Sequence, residues 1–472
     1  MMAKKADKDR LDPKLVRILL IMLIGTMMPM LDATVVNVAI KTIISEFNST
    51  VSIAQWLTTA YILALGIAVP VSGWLVNRFS MKTVYQVVLA LFGVGSVGAA
   101  LAWNMESLIA FRVVQGAGAG VILPVMQTVL VRYSGRAKLA RVMAIFGIPA
   151  AIIPVLGPTV GGLIVSSLPW QWIFIINIPI CIIALILGQI HLPADAAVNK
   201  QQRLDFIGLL LLSPAFCAII FGITAFRSDL DGAAQRGVVI LAAGLILLLV
   251  YCFYVLRSKK EPPLNIRLFK DKNFSASVVL MFLFGMISTG VLFILPLYFQ
   301  QVYQFSAFTA GLLLAPQGIG MLITRGFAAK WMEKFGGRPV VLAGLMCTLI
   351  GTLPFAVFFT GDNLILPVII LLIRGSGLGV VMVPVMTCVY DGLDKKDVPQ
   401  GTTATRIFQQ IGGAFGTAVL AIVLSHGLSV ADGASTLVAF NQVFGWSAVL
   451  VAVALVPVFF LRKKSYESVA QE

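Results

Sequence analysis

The residues of this chain that can do chemistry are few, and two of them stand where charge is costly. Asp32 lies in "MMPMLDATVVNVAI", inside an apolar run that begins near Leu15, and Arg112 opens "RVVQGAGAG" in another apolar run. Counting about 1.5 Å per residue from the span ends, Asp32 lies roughly 12 Å deep and Arg112 about 8 Å from the same face. Two opposite charges therefore share one layer. Burial and a neighbouring guanidinium pull a carboxylate's protonation in opposite directions. A small change in their spacing then decides whether the acid holds a proton. Ionisable groups at such depth mark ion and proton pathways. Two readings stand: a structural ion pair, or a carboxylate that carries a proton in one state and meets a cationic substrate in the other. No other acid falls well within the apolar runs of the first half of the chain.

Other chemistry finds no footing. Cys181, Cys217, Cys252, Cys347 and Cys388 lie in apolar runs without CxxC spacing, as buried small hydrophobes do. His191 and His426 fall near span ends on opposite faces and cannot share a metal. There is no G-x-x-x-x-G-K-[ST], and "GAGAG" (116–120) and "GSGLG" (375–379) lie inside apolar helices rather than after strands. No metal, cofactor or enzymatic constellation is expected.

The elements that position Asp32 and Arg112 follow from composition. Of 472 residues, 59% are hydrophobic and 12% charged, with a mean hydropathy of +0.96. A soluble chain is about one quarter charged, so this is an integral membrane protein whose solvent is the lipid bilayer. A helix crosses with roughly 17–25 apolar residues. Fourteen runs qualify, among them 15–40, 107–131 and 139–167, and the first is a retained span rather than a cleaved leader.

The net charge of +15 is not a nucleic-acid footprint, because it is spread over alternate short loops and both ends: "KKADKDR", "RYSGRAKLAR", "LRSKKEPPLNIRLFKDK", "KWMEKFGGR" and "LRKK". With both termini cytoplasmic, 28 of the 35 Lys and Arg fall inside. Lys41, Arg227 and Arg236 fall outside, and Arg112, Arg325, Arg374 and Arg406 lie within or at the edge of spans. That is the positive-inside pattern.

The chain also echoes itself. "LVNRFSMKTVY" (75–85) returns as "WMEKFGGRPVV" (331–341), and "LPVMQT" as "VPVMTC", at nearly the same separation. The expected fold is all-α with 14 transmembrane helices. Two six-helix pseudo-repeats, 15–192 and 274–461, flank an inserted helix pair, 204–256. Two repeats around a shared site is transporter architecture.

These motifs carry a resemblance over essentially the whole chain. "GWLVNRFSMK" resembles the G-x-L-a-D-R-x-G-r-K signature of the major facilitator superfamily, and "FRVVQGAGAG" resembles its R-x-x-q-G-x-g-a motif. "PVLGPTVGG" resembles the G-P-x-x-G-G motif of its antiporters. "LDATVVNVAI", "QWLTTAYILA" and "PWQWIFIINIP" resemble the fourteen-span drug:proton antiporters of the QacA/EmrB type.

The resemblance implies a gate at Gly73, Asn77, Arg78 and Lys82, with a neutral Asn77 where the family has an acid and Ser80 where it has a glycine. On physical grounds Arg78 and Lys82 either cap helix C-termini there or only set topology. The resemblance likewise implies that the Gly157, Pro158, Gly161 and Gly162 bend serves export, plain helix packing being the alternative. Asp32 and Arg112 are the expected proton-coupling pair, and Asp32, Trp56, Tyr61 and Gln127 the expected substrate contacts. Gln317, Gln409 and Gln410 are further candidates for a cavity wall; Asp391 reads as a solvated span-end charge, with an inner-gate pair to Arg406 the alternative. The function implied is proton-coupled efflux of lipophilic, often cationic compounds by a monomer in the cell membrane. Export of one physiological solute, such as an amino acid, peptide or siderophore, is the alternative.

Overall fold

The structure, a computed structural model, describes residues 12–49, 51–54, 56–193, 204–225, 233–258, 262–305, 307–357, 365–391, 393–394, 397–430 and 436–462; a minority of side chains within them, Pro158 included, lie outside the description. Every regular element among the described residues is helical. Among the described residues, thirteen helices are long and apolar enough, by length and composition, to cross a membrane. The sequence stretch 139–167 would be a further one, but many of its side chains lie outside the described residues.

The chain divides into two compact units, Met1–Val142 with Ile152–Arg203, and Met143–Ala151 with Leu204–Glu472. The first unit holds α1 (Pro13–Glu46), α2 (Val51–Ala54), α3 (Trp56–Arg78), α4 (Met81–Ala100), most of α5 (Met105–Ser167), α6 (Trp172–Ile175) and α7 (Asn177–His191). Its helices start where the sequence offers caps. Asn104 and Ser107 form a reciprocal capping box at α5, and Ser80 caps α4.

Backbone hydrogen bonding is helical all along α5, yet its trace turns back on itself. Arg112 contacts Asp32, and Gly157 faces Thr34 two residues further along α1. About 68 Å of straight helix would separate residues 112 and 157. The reversal falls between them, so α5 is two antiparallel limbs. "GRAKLAR" (135–141), read from sequence as a loop, is helical because Ala, Leu, Lys and Arg are strong helix formers.

The second unit begins with α8 (Phe206–Ala225) and α9 (Ala233–Arg257), the pair read as an insertion. A 3₁₀ turn (Ile266–Lys270) leads to α10 (Lys272–Gln301), α11 (Ala307–Leu312), α12 (Ala315–Phe335), α13 (Gly337–Ile350), α14 (Leu353–Val357), α15 (Ile365–Tyr390), α16 (Val398–Val430) and α17 (Thr436–Val458). The α8–α9 pair packs within this unit: Ile219 and Ile223 of α8 bury against Ala418 of α16, with Leu241 and Leu248 of α9 alongside. The rest of α9 turns Val239, Ile246, Leu249 and Phe253 outward. In water that surface would be an error; in hydrocarbon it is the correct exterior.

The polar pattern is accordingly turned inside. Thr26, Asp32, Ser96, Arg112, Gln115, Asn177, Arg325 and Arg374 are all buried while large apolar side chains face out. Cross-helix hydrogen bonds stitch the bundles. The Tyr85 hydroxyl donates to Ile21 O at 2.9 Å, Gln86 Nε2 to Leu185 O at 2.9 Å, and Asn273 Nδ2 to Cys388 O at 2.8 Å. With no competing water in the bilayer, such groups must find partners inside.

Candidate functional site

Five helices of the first unit converge on one carboxylate. α1 carries Asp32, α3 carries Tyr61, α4 carries Ser96, α5 carries Arg112 and Gln115, and α7 carries Asn177. The side chains of Asp32 and Arg112 are 0% and 1% exposed, and Arg112 Nη1 donates directly to Asp32 Oδ2. Arg112 and Gln115 stand three residues apart on one helix face, so Nη1 also reaches Gln115 Oε1 at 3.0 Å, while Nε donates to Leu57 O at 3.1 Å. The guanidinium lies 4.1 Å over the Tyr61 ring, whose hydroxyl donates to Pro29 O at 3.2 Å.

The second oxygen of Asp32 meets neutral donors. Asn177 Nδ2 lies 3.2 Å from Oδ1 and Gln115 Nε2 lies 3.5 Å from it. Both amides also reach Ser96 Oγ, at 3.4 and 2.8 Å, and the Ser96 hydroxyl donates to Phe92 O at 3.0 Å. This ring of donors suits the ionised acid. Ser96, Gln115 and Asn177 were not singled out from sequence. Gln115 had a signal in its spacing from Arg112. Asn177 had one in the "PWQWIFIINIP" motif, whose Trp170 Nε1 anchors the far end by donating to Glu46 Oε2 at 2.6 Å.

Of the other expected substrate contacts, Tyr61 belongs to this cluster. Trp56 stands at the start of α3, 45% exposed. Gln127 is buried fifteen residues past Arg112, roughly 22 Å along the first limb of α5.

At the other end of the first unit, Asn77 Oδ1 accepts from Arg132 Nη2 at 2.9 Å, and Arg132 Nη1 reaches Val76 O at 3.4 Å. Lys82 Nζ donates to Gln189 O, in the last turn of α7, at 2.6 Å. A cation there complements the negative end of the helix dipole. Arg78 ends α3, and Gly73 is buried within it.

The glycines of the second α5 limb sort by distance. A Cβ at Gly157 would lie 2.8 Å from Thr34 Cβ, and one at Gly161 3.1 Å from Val35 Cγ1, so the limb and α1 touch backbone to backbone. A Cβ at Gly162 would meet nothing within 4 Å.

The second unit buries arginines differently. Arg374 is fully enclosed and donates to Gln317 Oε1 at 2.7 Å, Ile287 O at 3.0 Å and Thr352 Oγ1 at 3.3 Å. Among the described residues no carboxylate touches it. Gln317, expected at a cavity wall, is thus an arginine acceptor. Arg325 is buried with Nη2 at 2.7 Å from Met382 Sδ. Asp391 meets Arg462 at 3.9 Å, and Arg462 bonds Asp271 at 2.9 Å. Among the described residues no group of three His, Cys, Asp or Glu side chains stands close enough to hold a metal.

Comparison with known proteins gives this arrangement a setting. The family profile "Major Facilitator Superfamily" matches residues 22–417. The chain is 34% identical over 425 residues to the "Multidrug resistance protein B homolog" of Mycobacterium tuberculosis strain H37Rv, covering 90% of this chain and 78% of that one. It is 29% identical over 427 residues to the "Lincomycin resistance protein LmrB" of Bacillus subtilis, covering 90% and 88%. Among solved structures, its fold is similar to the human organic anion transporter MFSD10 (TM-score 0.65, 16% identity, 93% of this chain and all of that one) and to a double-tryptophan variant of XylE (TM-score 0.66, 15% identity, 96% and 97%). These two show the fold alone. A multi-pass helical membrane protein with this profile over most of its length is a transporter and not an enzyme, and the chain belongs to the Major Facilitator Superfamily.

Proposed function

We propose that the chain is a proton-coupled multidrug antiporter of the fourteen-span QacA/EmrB type, exporting lipophilic, often cationic compounds by alternating access of two six-helix halves. The observation that carries this reading is the sealed pair of Asp32 and Arg112, held inside a membrane-spanning bundle with every remaining contact to the acid supplied by a neutral donor. A charge so placed is costly to keep, and taking up a proton removes the cost. Protonation releases Arg112 from Asp32; deprotonation recreates a carboxylate able to hold a cation. The acid therefore serves proton and cationic substrate in turn, which is antiport. Relatives named for multidrug and lincomycin resistance support the substrate class.

Arg112 acts as the exchange partner and Tyr61 as the aromatic face beneath it. Trp56 and Gln127 contact substrate elsewhere on its route. Gly73, Asn77, Arg78 and Lys82 form the cytoplasmic gate, and the Gly157, Pro158, Gly161 and Gly162 limb is the bending element. The protein works as a monomer in the cell membrane with both termini cytoplasmic. A cysteine placed at Ser258 in a chain otherwise free of cysteine is then labelled only after permeabilisation.

The test is substrate-induced proton release from purified protein, paired with uptake into inverted vesicles under an imposed pH gradient. Lipophilic cations are expected to release protons, and an uncoupler to stop uphill transport. Transport that persists under the uncoupler overturns proton coupling. A response confined to one metabolite, with none to lipophilic cations, assigns the same cycle to a single physiological solute.

A further inference from the structure

The Asp32 pocket is supplied for one protonation state only, save for one atom. Around the carboxylate stand Arg112 and Gln115 from α5, Tyr61 from α3, Ser96 from α4, and Asn177 and Cys181 from α7. Of these Arg112, Tyr61 and Cys181 are the ionisable groups that feel its charge. Every hydrogen bond to Asp32 is a donation toward it. That satisfies a carboxylate, which only accepts, but a protonated acid also has an O–H that needs an acceptor. The acceptors nearby are engaged: Gln115 Oε1 takes Arg112 Nη1, and Ser96 Oγ already takes two amide donors. Among the described residues, Asn177 Oδ1 alone in this pocket is buried with no hydrogen-bond partner, on a residue 1% exposed.

We propose that Asn177 is the positioning residue that makes both protonation states of Asp32 satisfiable, by turning its amide. With Asp32 ionised, Nδ2 points at Oδ1; the reverse orientation would set two acceptors against each other. With Asp32 protonated, half a turn about the terminal torsion brings Oδ1 to the acid's O–H and directs Nδ2 into the space Oδ1 leaves. No covalent bond is made or broken beyond the proton's arrival on Asp32; the amide exchanges its Nδ2 contacts with Asp32 Oδ1 and Ser96 Oγ for one from the acid's O–H. That terminal torsion is broad and two-fold, so the turn is a rotamer change. An unsatisfied O–H in a low-dielectric site is costly, and the turned Asn177 meets it in exchange for the longer Nδ2 contacts at 3.2 and 3.4 Å. The inference rests on the reading that Asp32 takes the coupling proton.

Infrared difference spectra of the purified, lipid-embedded protein, recorded between high and low pH, test it. Asp32→Asn identifies the Asp32 carboxylic C=O band. The expected wild-type result is a hydrogen-bonded carboxylic band together with a shifted asparagine amide band, traced by isotope-labelled asparagine. In Asn177→Leu the amide shift should vanish and the carboxylic band move to the higher wavenumber of an unbonded acid, with turnover down at least tenfold. Asn177→Gln, which keeps an amide able to turn between donating and accepting, should keep a bonded carboxylic band and recover part of the turnover. It also serves if the leucine variant does not fold. An amide band that ignores pH, or a carboxylic band unchanged by Asn177→Leu, overturns the switch and leaves the coupling role of Asp32 intact. No Asp32 carboxylic band at any pH overturns the coupling role and the switch with it.

Discussion

Arg112 in the first unit and Arg374 in the second are both fully buried guanidinium groups on long apolar helices, but they are neutralised in different ways. Arg112 has a carboxylate, Asp32, and beyond it a ring of amides. Arg374 has an amide, a hydroxyl and a backbone carbonyl, and no acid among the described residues. Neutral acceptors spread the charge over three fixed dipoles and leave nothing that titrates. The carboxylate places one exchangeable proton site against the cation. A buried arginine by itself is therefore not a sign of coupling; the acid that faces it is. On the proposed function, Arg374 belongs to the framework, and Arg112 to the cycle.

The largest expected effect is at that acid. Asp32→Asn keeps size and hydrogen bonding but leaves the site permanently neutral, so substrate-driven proton release and uphill export should both disappear. Binding of neutral lipophilic compounds should survive, and expression and thermal unfolding should show a folded protein. A folded Asp32→Asn protein that still releases a full proton per substrate would falsify the contrast between the two arginines. Next in size is the glycine limb beside it. Gly157→Ala forces α1 and α5 apart at Thr34 and should lower export more than tenfold, whereas Gly162→Ala, with open space for its methyl, should export like the parent. Equal losses at the two positions would mean that only helix propensity was being measured.

Stability separates the arginines more gently. Arg112→Met strands Asp32 as an uncompensated buried charge and should cost about 3–5 kcal/mol when unfolding is followed at neutral pH. Arg374→Met removes the charge along with its neutral contacts and should cost under about 2 kcal/mol, because those terms partly offset. If Arg374→Met proves the more damaging, an acid outside the described residues serves that arginine. Smallest is Asn77→Asp, which exchanges a neutral acceptor for a charged one opposite Arg132. It should stabilise by about 1 kcal/mol or less, given partial exposure, and slow turnover by holding the gate. Faster turnover would show that the Asn77 contact is no latch.

How far the sequence discloses this depends on contrast. A single acid in an apolar run stands out, so Asp32 and Arg112 were legible, and so was the neutrality of Asn77 where the resemblance leads one to expect an acid. Ser96, Gln115 and Asn177 were not, because neutral polar residues are common in membrane helices and nothing in an all-round apolar pattern says which way each one faces. The helical connection at 135–141 was hidden for a related reason: charge marks a segment between spans, but its residues are helix formers and hydrogen-bond accordingly. The packing of α8 and α9 on α16 rests on Ile219, Ile223 and Ala418, ordinary apolar residues whose partners only three dimensions reveal.

The fold-back of α5 has a mechanical side. On a helix advancing about 100° per residue, Asp32 and Thr34 point to nearly opposite flanks of α1. One limb of α5 grips the charged flank through Arg112, and the other rests on the far flank at Gly157, with no slack at the contact. The middle turn of α1 is thus a rod clamped in a vise whose two jaws belong to one helix. In the proposed cycle, a proton on Asp32 loosens one jaw, the rod yields toward it, and the gap opens where glycine had left no room.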